Sequence, residues 1–148
     1  MAKFLYRMQN ILDIKMKLED QAKISYSQAN AKLLEEQQKL QGILVRKAGY
    51  EKIAQDLVNG PINIRSIQEN KRAIDAMKSA MRTQLLQVQV AEKNQEAARM
   101  HLNEVMMERK THEKLREHAF DQFKQELSYE ESKAVDELVS YSYQRERD

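Results

Sequence analysis

Three histidines, His101, His112 and His118, and a dense population of Asp and Glu are the residues in this chain able to hold a metal ion or move a proton. Two metal ligands on one helical face need a spacing of three or four residues. The histidines lie eleven and six apart, and only His112 with Glu108 meets that requirement. A place on the surface or in a helix seam is the simpler reading of all three. Paired catalytic carboxylates need desolvation to separate their pKa values, and a solvated helix face does not supply it. With no Cys there is no thiolate nucleophile, thiolate metal site or disulfide, and no glycine-rich loop is present to cradle a phosphate. The expectation is a protein that is not an enzyme, with no catalytic residue, no metal and no cofactor. Eight Met residues, among them Met77, Met81 and Met106, read as gap fillers in a seam sooner than as an adaptable binding groove.

The composition says what kind of scaffold carries these side chains. Three Gly and one Pro in 148 residues cannot make the many turns that a sandwich, barrel or α/β domain requires. Glu, Gln, Lys, Ala, Met and Leu dominate, and all are good helix formers. Charged residues reach 32% and the mean hydropathy is −0.79, leaving enough apolar surface for a narrow seam but not for a thick core. The 25 basic and 23 acidic residues are interspersed, which argues against nucleic acid as a partner. No run of 18 apolar residues would span a membrane, and the N-terminus lacks the apolar core of a signal peptide. The chain is expected to stay in the cytoplasm.

An apolar repeat of alternating threes and fours runs through Phe4, Met8, Ile11, Lys15, Leu18, Ala22, Tyr26, Ala29, Leu33, Glu36, Leu40, Ile43, Lys47, Tyr50, Ala54 and Leu57. A mean period near 3.5 keeps one stripe facing a partner helix. Two successive fours at Leu18, Ala22 and Tyr26 read as a stutter. The spacing predicts a first helix over about 3–58, passing through Gly42 and Gly49 without loss of phase. Asn59 and Gly60 suit a left-handed helix end, and Pro61 cannot continue the helix. Ser66, Ile67, Gln68 and Glu69 then spell a capping box that opens a second helix over about 66–140. Its stripe is Ile67, Asn70, Ile74, Met77, Met81, Leu85, Val88, Ala91, Gln95, Ala98, Leu102 and Val105, weakening through Arg109, His112 and Arg116 before Ala119 and Phe123.

A link of about seven residues makes the helices antiparallel neighbours. The predicted fold is therefore all-α, a single monomeric coiled-coil domain over 1–148: a long antiparallel two-helix hairpin with paired arms of roughly 80 Å. Residues mirrored about position 62 should meet, Phe4 with Phe120 and Leu33 with Ala91 among them. Helix two outruns helix one, so 121–148 projects as an overhang. Alone in water such a helix should fray, although Phe120, Phe123, Leu127, Ala134, Leu138 and Tyr141 continue a broken apolar stripe. Two further features stand out. Ile62, Ile64 and Ile67 crowd the bend, where they either seal the seam or present a partner-binding tip. "ERKTHEKLREH", 108–118, is either a salt-bridged solvated face or a charged site for a partner.

Both ends of the chain resemble the FliJ family of the bacterial flagellar type III export apparatus. The family opens on an aromatic, a spaced apolar pair and a following base, here Phe4, Tyr6, Met8, Gln9, Ile11, Leu12 and Lys15. Its later pattern is matched by Glu108, Arg109, Lys110, Glu113, Leu115, Asp136 and Glu137. The resemblance implies a stalk-like hairpin whose open end enters a hexameric export ATPase (FliI-like). It also implies contacts with an export gate protein (FlhA-like) and export chaperones, and a place at the inner face of the cell membrane through that apparatus. The implied ring-facing residues are Phe4, Arg7, Met8, Gln9, Leu12, Lys15, Glu108, Arg109, Lys110, Glu113, Lys114, Leu115 and Arg116. A structural adaptor coiled coil and the stalk of a non-flagellar type III system stand as alternatives.

Overall fold

A computed structural model describes residues 3–147, apart from the Arg147 side chain; Met1, Ala2 and Asp148, and with them the last acid of the overhang, lie outside the described residues. Two α-helices, α1 (Gln9–Val58) and α2 (Ile64–Arg147), pack against each other as a hairpin, and no strand occurs among the described residues. Packing gathers the described residues up to Asp20 and from Glu104 into one unit, and Gln21–Asn103 into another.

In the Gln21–Asn103 unit the predicted α1 stripe from Ala22 to Leu57 is covered at every position. Small residues supply the tightest places: Ala22 and Ala91 are buried together with Val88. Polar residues share the seam with them. The Gln84 side-chain amide donates to the Glu36 carboxylate and, at 2.9 Å, to the Glu36 carbonyl. Gln95 donates to the Asn30 side chain, and Asn70 donates to the Tyr50 carbonyl at 3.0 Å. Each pair lies close to mirror positions about residue 62, as an antiparallel hairpin requires. One stripe position moves: Leu85 is exposed and Gln84 takes its place, because Gln84, unlike Leu85, can donate across the seam to Glu36.

The bend uses different chemistry from the one expected. No residue there, or elsewhere among the described residues, has a positive φ, so Asn59 and Gly60 do not form a left-handed end. Pro61 pushes the preceding Gly60 out of the helical region, and α1 closes with a bond from the Asn59 N–H to the Asp56 carbonyl at 3.3 Å. Helix α2 begins two residues before the expected Ser66. The Asn63 side chain accepts from the backbone N–H groups of Arg65 at 3.1 Å and Ser66 at 3.4 Å, the geometry of an Asn cap. Glu69 is thereby left free of any capping role and pairs with Arg65 at 3.3 Å.

In the other unit, α1 starts at Gln9, later than the periodicity suggests. Residues 3–6 are non-helical and 7–8 form a turn. The predicted stripe residues Met8, in the turn before α1, and Ile11 and Leu18 within it are exposed, whereas Leu12, at 3% exposure, and Glu19, at 5%, are buried. The covered positions therefore step 12, 15, 19, 22, 26 in regular threes and fours, and there is no stutter. Glu19 displaces Leu18 because its carboxylate meets the Arg109 guanidinium across the seam. At the far end α2 remains helical through the overhang to Arg147, with every residue from 128 to 146 exposed.

Two outcomes follow from this packing. A Cβ added at Gly42 or Gly49 meets nothing within 4 Å, and both lie inside α1. Gly42→Ala and Gly49→Ala should each stabilise the fold by about 1 kcal/mol, read as a higher melting temperature by circular dichroism; a lower one for both would contradict the continuous helix. The hydrogen bond from Gln84, reinforced by Lys32 at 3.0 Å, holds the Glu36 carboxyl below its ordinary value against the opposing effect of burial. A lowered folded-state pKa stabilises fully above the unfolded-state value and is lost as pH falls through the folded one. Wild type should therefore melt above Glu36→Gln at pH 7, and the gap should close as pH falls below about 4. A gap that is constant with pH would show that the charge of Glu36 contributes nothing.

Candidate functional site

The open end of the hairpin is built on Phe4. Its ring meets Phe120 edge-on at 5.0 Å and Phe123 at 5.5 Å, with the Arg116 guanidinium 5.7 Å above it. Such pairings add to burial because the positive edge of one ring, or a cation, meets the negative face of another. Arg116 also donates to the Gln9 side-chain oxygen at 2.9 Å, while the Gln9 amide donates to Asp13 at 2.9 Å. Lys124 sits 4.6 Å over Phe120. Deeper in the unit, Leu12 and Val105 are buried, Lys15 pairs with Glu108 at 2.8 Å, and Arg109 lies between Glu19 and Glu113, 2.8 Å from the latter. The Glu113 carboxylate, with Glu19, holds the Arg109 guanidinium even more firmly protonated than usual.

The thirteen residues assigned to ring contact by resemblance thus fall into two groups. Phe4, Gln9, Leu12, Lys15, Glu108, Arg109, Glu113 and Arg116 bind one another or their neighbours and join α1 to α2. Arg7, Met8, Lys110, Lys114 and Leu115 face solvent. Lys110 and Lys114 are four residues apart on one turn and form an exposed basic pair on α2. The segment 108–118 is accordingly both things at once: an ion-paired lining where it faces α1 and a free charged surface where it does not.

Sequence reasoning overlooked Tyr6 and Glu19 as seam residues. Glu19 was detectable, since the mirror rule that pairs Phe4 with Phe120 also sets it near Arg109, but a stripe traced by hydrophobicity passes over an acid. Tyr6 carried no such signal, because it lies in the non-helical segment. His112 is half-buried and its Nδ1 has no hydrogen-bond partner, while the Glu108 carboxylate, four residues away, pairs with Lys15. Among the described residues no three His, Cys, Asp or Glu side chains gather as a metal site.

At the bend the isoleucines separate. Ile62 and Ile64 are each 68% exposed. Ile67 instead lines an apolar cleft with Ala54, Leu57, Val58 and Ile74 and belongs to the seam. Among the described residues no helix is long and apolar enough to cross a membrane.

No curated protein and no solved structure matches this chain. The family model for the flagellar FliJ protein, however, matches residues 4–148, from the Phe4 anchor through the overhang. With essentially the whole hairpin covered, the chain belongs to the FliJ family of flagellar proteins, coiled-coil components associated with flagellar export.

Proposed function

We propose that this protein is a cytoplasmic stalk of the flagellar export apparatus that inserts its open end into the pore of a hexameric export ATPase and stimulates it. The observation that carries the reading is the division of charges at that end. Arg109, Lys15 and Arg116 are engaged within the hairpin, which leaves Lys110 and Lys114 exposed on a helix that is already braced. A partner can then meet a basic surface without first breaking the protein's own ion pairs.

An asymmetric two-helix hairpin in a six-fold ring cannot contact all six subunits alike. It favours some subunit states over others, and such differential contact is the thermodynamic basis of coupling between sites. The exposed charges set orientation and encounter rate more than final affinity, whereas Met8 and Leu115 offer apolar contact. Escort of export chaperones, contact with the export gate and location at the inner face of the membrane belong to the same reading. Ile62 and Ile64 are its candidate partner-binding tip at the opposite end of α2.

Reversing both exposed bases, Lys110→Glu with Lys114→Glu, should lower the potency of ATPase stimulation several-fold and leave the helical circular dichroism and melting temperature unchanged. Arg109→Glu should behave differently: it places a third carboxylate against Glu19 and Glu113 and should lower the melting temperature. Full stimulation by the double variant would remove the basic pair from the ring-binding surface.

A further inference from the structure

We propose that residues 3–8 form a releasable strap that gates access to the aromatic face of α2 at Phe120 and Phe123. The strap is held chiefly by Phe4, with the half-buried Tyr6 ring beside it. Phe4 packs against both rings, but the next residue, Leu5, is 81% exposed and adds no apolar anchor. The backbone from 3 to 6 is non-helical, and it bonds to α1 through the Gln9 N–H, which donates to the Tyr6 carbonyl at 3.1 Å.

Two features set the closed strap against itself. The Tyr6 hydroxyl is buried without a hydrogen-bond partner, so closing removes a polar group from water and returns nothing for it. In addition, α1 begins without a side-chain cap. Met8 occupies the position where Ser, Thr, Asp or Asn would accept from the first turn, and that turn holds no acid. The strap can therefore swing about Met8 without breaking a side-chain cap, and while the Met8 carbonyl keeps the Ile11 and Leu12 N–H groups, each at 3.1 Å, α1 need not unwind from Gln9 onward. Phe4 keeps the strap down; the Tyr6 hydroxyl works against it.

The covered surface is the start of a longer one. Strap residues 3–8 close a cleft against Ala119, Gln122, Phe123 and Glu126, and the same helix face leads on to half-buried Leu127 and the exposed overhang. Release lengthens the apolar face of α2 toward its N-terminal side. If the function proposed above holds, the ATPase meets the covered Phe123, and the part of Phe120 beneath Phe4, only after release; the existence of the strap equilibrium does not rest on that reading.

The full chain has no Cys, so Ala119→Cys introduces one thiol in the cleft beneath the strap, and its reaction rate with a bulky maleimide reports the open fraction. The rate is normalised to Ser132→Cys on the exposed overhang. Adding Phe4→Ala should speed labelling at 119 by about tenfold or more. Adding Tyr6→Phe removes only the unpartnered hydroxyl and should slow it several-fold. Equal rates in all three proteins, or acceleration by both substitutions, would overturn the strap. Tyr6→Phe should also require more protein to stimulate the ATPase. Absence of stimulation by wild type would count against the proposed function, while the labelling rates still decide the strap.

Discussion

The structure depends on polar side chains placed inside a narrow apolar seam. A two-helix hairpin made only of Ala, Leu and Val can slide by a heptad with little penalty, because one apolar layer resembles the next. Glu36 with Gln84, Asn30 with Gln95, Asn70 with the Tyr50 carbonyl, and Glu19 with Arg109 each bind across the seam in one register. A slip breaks every one of these cross-helix bonds and leaves only same-helix partners such as Lys32 for Glu36 and Glu113 for Arg109, which is costly for a covered amide and more so for a charge. Polar residues at seam positions commonly set register at some expense of stability. Here they occur in both packing units, so each has its own register device.

That register decides which residues are available to partners. Because Glu19 and Glu113 hold Arg109, and Glu108 holds Lys15, the basic side chains of 108–118 divide between the inside and the outside of the pair. Because Phe4 reaches Phe120 and Phe123, the last stretch of α2 emerges from beneath an aromatic cluster and not from a frayed end. The bend contributes in a different way. Asn63 caps α2 and Pro61 ends α1 within a few residues, so Ile62 is left in the short connection and Ile64 at the first position of α2, both exposed.

Much of the fold was legible in the amino-acid order. From Ala22 to Leu57 every position that the period identified is covered, and Asn30 alone is covered without having been on the stripe. The departures share a cause. Leu18 yielded to Glu19 and Leu85 to Gln84 because a specific polar partner outweighed hydrophobicity, and periodicity measures only hydrophobicity. The Ser66 capping box was a sound local motif, yet Asn63 cap geometry arose earlier in the chain. Residues 3–8 looked helical because Phe4 and Met8 keep phase, but long-range aromatic packing governs their path. The candidate site was legible as a segment and not as a surface: family resemblance named the residues, and only the packing separates Lys110 and Lys114 from Arg109.

The central claim is that α1 and α2 are antiparallel and in the register these pairs impose, so that the beginning of α1 lies beside residues near 117. The direct measurement is the distance between spin labels on Met8→Cys and Glu117→Cys in one molecule. The account predicts a single short distance of roughly 20 Å. A distance near the full length of α1, roughly 75 Å at 1.5 Å per residue, would contradict it.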